Sequence, residues 1–126
     1  MTKSRRILIL VLTGCLWLST ALPVLSQTSD LPRGLPELLE FDRKLCPICQ
    51  ASERIILAVK AKYPGQFAVR KLYMDEEEKL FRRYKVALVP TQVFLDAAGQ
   101  EVYRHEGVFK EDELILKLRE LKFIRD

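Results

Sequence analysis

Cys46 and Cys49 stand three positions apart with Pro47 directly after the first, and this short stretch restricts the fold more than any other in the chain. Proline cannot continue a helix from within, because it lacks an N–H and its ring collides with the preceding turn, but it suits the first helical position. The sequence therefore predicts a helix beginning at Cys46. From Pro47 to Tyr63, Ile48, Ala51, Ile55, Ala58 and Val59 recur at helical spacing, with Glu53, Arg54, Lys60 and Lys62 elsewhere on the wheel. Pro64-Gly65 ends the helix. One cysteine thus caps an amphipathic helix and the second lies one turn in.

The first residues read as an export signal: Lys3, Arg5 and Arg6 precede an uncharged apolar run from Ile7 to Leu22, and Pro23 follows. Cleavage before Gln27 makes residues 1–26 a signal peptide. The run Ile7 to Leu25 is also compatible with an uncleaved membrane anchor on length. Leu12-Thr13-Gly14-Cys15 resembles a lipobox, which would make Cys15 a lipidated mature N-terminus. All three alternatives give a periplasmic or extracytoplasmic location, secreted or membrane-anchored. Residues 27–36, with two prolines, a glycine and several polar groups, read as a linker, and 37–126 as one domain.

About 100 residues remain beyond the signal, enough for one hydrophobic core and too few for two. The formal charge of +4 shrinks to +1 once Lys3, Arg5 and Arg6 are set aside, and the other charges are interspersed. A nucleic-acid partner is therefore not expected.

Leu38-Leu39-Glu40-Phe41 reads as a buried strand, after which Asp42-Arg43-Lys44 takes the chain to the surface. Phe67 to Tyr73 reads as a second strand. The acidic opening Asp75-Glu76-Glu77-Glu78 suits the first turn of a helix ending near Tyr84. Thr91–Leu95 and Glu101–His105, joined by a turn containing Gly99, read as a hairpin. A last amphipathic helix places Leu114, Ile115, Leu118 and Leu121 on one face, with a poor N-cap because no Ser, Thr or Asn precedes Glu111. The order strand, helix, strand, helix, hairpin, helix implies an α/β fold: a mixed sheet of about four strands flanked by helices.

Three readings of the cysteine pair compete. A structural disulfide closing so short a ring gives only roughly 2 kcal/mol by loop entropy, against about 3 for a fifteen-residue loop. A zinc site needs two more ligands; His105 is the sole histidine and has no partner at ligand spacing, although a two-coordinate copper site can be built from two thiolates. The redox reading accounts for more. At the N-cap, the Cys46 sulfur meets unpaired N–H groups and the positive end of the helix dipole, which favours the thiolate as nucleophile and leaving group. Cys49, shielded one turn in, is placed to resolve a mixed disulfide.

Taken together, the chain resembles the thioredoxin family from Leu35 to about Ile124. The resemblance is carried by the apolar strand with Glu40 six residues before Cys46, by Cys46-Pro47-Ile48-Cys49, by Val89-Pro90-Thr91 after the second helix, and by the closing hairpin and helix. It implies a thioredoxin-like fold in which Pro90 is a cis-proline facing the cysteines and the backbone around Val89 and Thr91 pairs with an extended substrate. It also implies that Glu40 is the buried acid that takes the Cys49 proton, with Lys71 near it. The alternative for Glu40 and Lys71 is an ordinary ion pair at a strand edge.

The chain departs from the family pattern at Leu45, where tryptophan is common, at the dipeptide Pro47-Ile48, and in apparently lacking the first strand and helix of full-length thioredoxins. The implied activity is protein-disulfide exchange through a redox-active Cys46–Cys49 disulfide, with no cofactor and no metal. The resemblance favours a reductant fed by a membrane thiol-electron donor and serving protein substrates, as in redox homeostasis or cytochrome c biogenesis. Direction is set by a dipeptide whose relatives span about 150 mV. A copper carrier or a redox-inert binding module is the rival.

Overall fold

The computed structural model of the chain describes residues 34–126. The segment 1–26 expected to direct export, Cys15, and most of the stretch 27–36 expected to be a linker lie outside the described residues. No helix among the described residues is long and apolar enough to cross a membrane.

Seven elements follow in the expected order: β1 (Glu37–Asp42), α1 (Pro47–Lys62), β2 (Ala68–Tyr73), α2 (Glu78–Arg83), β3 (Thr91–Leu95), β4 (Glu101–Glu106) and α3 (Glu111–Glu120). The four strands form one sheet in the order β2-β1-β3-β4. β1 runs parallel to β2 and antiparallel to β3, and β3 antiparallel to β4. The single parallel pair follows from α1, which supplies the crossover that a parallel connection needs. Between β3 and β4, Asp96 Oδ1 accepts from the N–H groups of Ala98 and Gln100, each at 2.9 Å, while Gly99 takes φ 79. This is the local chemistry by which an aspartate closes a turn.

The sheet separates two apolar layers. Leu38 and Phe94 face Ile56 and Val59 of α1 and Leu114 and Leu118 of α3, with Phe67, Phe109 and Phe123 closing that layer. Leu39, Phe41, Leu72, Val93 and Leu95 face Phe81 on the other side. Alternation along β1 and β3 assigns these faces, because successive strand side chains point in opposite directions.

Three local expectations change. The buried face of α1 is Cys49, Ser52, Ile56 and Val59, whereas Ile48 and Ala58 are exposed. The helix thus sits rotated by about one position, because the disulfide and Ser52 take the inward face. Asp42 does not lead outward: it is fully buried as the last residue of a strand internal to the sheet. The acids Asp75 to Glu77 precede α2, since Tyr73 O accepts from the N–H groups of Glu76 and Glu77 in tight turns and only Glu78 enters the helix. At α3, Lys110 gives no side-chain cap, as its sequence implied, though its N–H donates to Glu113 Oε2 at 3.3 Å.

Candidate active site

The site lies where β1 ends, α1 starts and β3 begins. Phe41 pairs with Thr91 and Asp42 with Tyr73, so the C-terminal ends of β1 and β2 and the N-terminal end of β3 share one edge of the sheet. Arg43 to Leu45 turn the chain there. Leu45 adopts φ 56 and is 95% exposed, so a bulky residue holds a left-handed conformation just before the first cysteine.

Cys46 is the N-cap of α1 and Pro47 occupies its first turn. Cys46 Sγ accepts the Cys49 N–H at 3.3 Å, which gives one of the orphan donors of the helix start a sulfur partner. The two sulfurs are joined as a disulfide, with Cα atoms 5.2 Å apart. Cys49 is buried and Cys46 half-buried, while Pro47 and Ile48 face solvent. The outer sulfur is therefore the accessible one.

Val89-Pro90 is a cis peptide, Pro90 is buried, and the Thr91 hydroxyl donates to Leu88 O at 2.8 Å. This loop enters β3 at the same sheet edge from which Arg43–Leu45 lead to Cys46.

Beneath the disulfide lies a polar cluster. Glu40 is 1% exposed, on a central strand, and so is not a strand-edge residue. Lys71 lies opposite it on β2, yet the ammonium pairs with Asp42 at 3.1 Å and Glu53 at 2.6 Å. The alternative of an ordinary edge ion pair between Glu40 and Lys71 therefore does not hold: Glu40 is a buried acid with Lys71 opposite it, and the ammonium serves Asp42 and Glu53. Burial pushes the Glu40 carboxyl up from 4.5 to about 7; Asp42 adds to this, Ser52 and Lys71 oppose it, and Glu53 raises it slightly. Burial also raises Asp42, against the pull of Lys71. Burial works against the Lys71 ammonium, but its two acidic partners win and hold it above the usual lysine range.

A cleft of about 460 Å3 opens onto this cluster, lined in part by Cys49, Glu53, Lys71 and Tyr73. Cys49 and Lys71 therefore line one cleft, and buried Asp42 is joined to it through its ion pair with Lys71. Asp42, Ser52, Glu53 and Gln92 are members that sequence reasoning missed. Alternation from Leu38 through Glu40 to Asp42 was the available signal for Asp42; Ser52, three residues after Cys49, shared its helical face. Nothing local marks Gln92, which reaches the cluster through strand pairing with Glu40. His105, near the end of β4, is half-buried and stacked on Phe109 with centroids 3.7 Å apart. Burial lowers its pKa. Among the described residues no group of three or more His, Cys, Asp or Glu is arranged to hold a metal ion.

A disulfide across the first turn of a helix, set where the strands of a four-stranded mixed sheet end, is the arrangement of a thioredoxin-like fold. Residues 32–122 match the family of thioredoxin-like domains, and the chain belongs to that family. It is 36% identical to thioredoxin-1 of Drosophila melanogaster over 58 residues, 46% of this chain and 54% of the fly protein, and equally to thioredoxin-1 of Drosophila yakuba. The chain thus spans about half the length of these curated relatives. Among solved structures it is similar to an uncharacterized thioredoxin-like protein from Clostridium perfringens, with TM-score 0.66 and 28% identity over 72% of this chain and 74% of that one. It also shares its fold with thioredoxin-2 of a malaria parasite, a component of that organism's protein secretion machinery (TM-score 0.65, 21% identity, 69% and 84% coverage).

Proposed function

We propose that this protein is an extracytoplasmic thiol-disulfide oxidoreductase that acts on protein substrates, mainly as a reductant. The observation that carries the reading is the N-cap geometry of Cys46, whose sulfur accepts the Cys49 N–H at the positive end of a sixteen-residue helix and is bonded to Cys49. A thiolate formed there is favoured by the dipole and unpaired donors.

In the reducing direction, Cys46 thiolate attacks a substrate disulfide, breaks its S–S bond with one substrate sulfur leaving as a thiolate, and forms a mixed disulfide with the other. Cys49 loses its proton, bonds to Cys46 Sγ and releases the substrate as a thiolate. Glu40 is the proposed acceptor of the Cys49 proton; a carboxyl raised to about 7 by burial is matched to exchange protons near neutrality. Lys71, facing the same cleft as Cys49, keeps the nearby acids Asp42 and Glu53 compensated. The backbone around Val89, cis-Pro90 and Thr91 receives the substrate strand, with exposed Ile48 beside the disulfide. Export rests on the charged and apolar pattern of residues 1–26, and a membrane dithiol donor is the proposed electron source.

Replacing Cys49 by Ala in the exported protein tests the mechanism. Covalent adducts with protein partners, visible on non-reducing gels and lost in the Cys46→Ala variant, are expected. A reactive Cys46 that traps no partner would overturn the reading.

A further inference from the structure

We propose that Glu40, Ser52 and Gln92 form a closed ring of three hydrogen bonds in the disulfide state, with Gln92 the positioning residue that holds the Glu40 proton. The ring deepens the proposed function, on which its consequence for turnover rests. Its geometry is independent of that reading.

All three residues are at least 98% buried: Glu40 is 1% exposed, Ser52 2% and Gln92 0%. Glu40 and Gln92 are direct partners across β1 and β3, so their side chains leave the same face of the sheet as neighbours. Gln92 Nε2 donates to Ser52 Oγ at 3.0 Å. Because the Ser52 oxygen accepts that bond, its single proton is free to donate, and the Glu40 carboxyl receives it. Two atoms remain. Glu40 Oε1 and Gln92 Oε1 are both buried acceptors without a partner. Two orphan acceptors on adjacent buried residues carry a desolvation cost, and one shared proton removes it for both. Placed on Glu40, that proton donates to the Gln92 carbonyl and closes the ring: Gln92 to Ser52, Ser52 to Glu40, Glu40 to Gln92.

The charges facing this carboxyl are Asp42 on its own strand, Lys71 from β2 and Glu53 from α1. His105 lies beyond Gln92 on β4. Lys71 is engaged by Asp42 and Glu53, which leaves Glu40 without a dedicated cation and favours the neutral ring. Ser52 lies three residues after Cys49 on the buried face of α1, so the ring joins the proton store to the helix that carries the resolving sulfur. When a dithiol donor reduces the disulfide, the electron pair of the broken S–S bond goes to Cys49 sulfur, the donor sulfur bonds to Cys46, and Glu40 gives its proton to Cys49; the donor's second thiolate then bonds to the first donor sulfur, leaving the donor as a disulfide and freeing Cys46 as the thiolate that attacks substrate. In resolution the same proton returns from Cys49 to Glu40 as the Cys46–Cys49 bond forms and the substrate leaves as a thiolate that takes a proton from water.

The test is Gln92→Leu in the full chain, in the disulfide form, with carbon-13 in the glutamate carboxyls and the Glu40 resonance assigned from Glu40→Gln. Loss of the carbonyl acceptor is expected to lower the Glu40 midpoint by about one pH unit, a roughly tenfold loss of proton affinity. The added apolar bulk works in the opposite direction, so desolvation cannot mimic the result. An unmoved or raised midpoint would overturn the ring, because it would mean that the amide N–H faces a carboxylate. Gln92→Met, closer in shape, carries the same two outcomes if the leucine variant does not fold. The pH profile of mixed-disulfide resolution should move with the Glu40 midpoint, and Gln92→Leu should add nothing in the Glu40→Gln background. If the wild-type protein reduces no protein disulfide, the exchange reading fails while the Glu40 titration still decides the ring.

Discussion

Glu40→Gln should make the protein more stable at pH 8 while leaving it unchanged at pH 4.5. Glu40 is buried in a place that prefers the neutral form, so its carboxyl is raised from 4.5 to about 7 on folding. The folded chain then binds more protons than the unfolded chain between these values, and stability falls as pH rises through that window. The loss begins near the unfolded value of 4.5 and is complete above about 7. A shift of this size corresponds to roughly 3 kcal/mol. Glutamine keeps the shape of the protonated acid and cannot ionise, so it escapes the whole loss. At pH 8 the urea midpoint of the disulfide form should rise by on the order of 1 to 2 M, given typical slopes for small domains. A residual pH slope should survive in the variant, because Asp42 is raised by burial as well. Wild-type and Glu40→Gln proteins with equal midpoints at pH 8, or a wild-type midpoint flat from pH 5 to pH 8, would refute the assignment of Glu40 as a buried group that prefers its proton.

Lys71→Met should cost about 3 kcal/mol at pH 7, since fully buried Asp42 loses its cation. The cost should shrink in acid, where Asp42 takes up a proton; denaturation at pH 4 and pH 7 checks both. Phe94→Ala should cost about 3 to 5 kcal/mol in the same assay, because Phe94 is fully buried and its ring meets those of Tyr103, Phe109 and Phe123. In the reduced protein, Cys46 should ionise more readily than a free cysteine. Ultraviolet absorbance of the thiolate in the Cys49→Ala variant follows this directly, and ordinary titration would contradict the N-cap argument.

The order of elements was legible because each carries a local signal: Pro47 starts α1, Pro64-Gly65 follows its end, alternation and Gly99 mark the hairpin, and Leu114 with Leu118 mark the inner face of α3. The disulfide pair was legible for the same reason, as three residues of one helix turn fix its separation. The partners of Glu40 were not. Ser52 and Gln92 are unremarkable in sequence and reach Glu40 only through helix packing and the pairing of β1 with β3.

By itself the chain determined where a helix must begin, which sulfur caps it and which residues alternate toward a core, since these follow from covalent geometry and short-range periodicity. Only the tertiary structure decided that Asp42 is buried, that Lys71 serves Asp42 and Glu53, and that Glu40 stands beside an unpartnered carbonyl. Burial and electrostatic surroundings depend on which distant residues are brought within a few ångströms, and no window of sequence contains that distance.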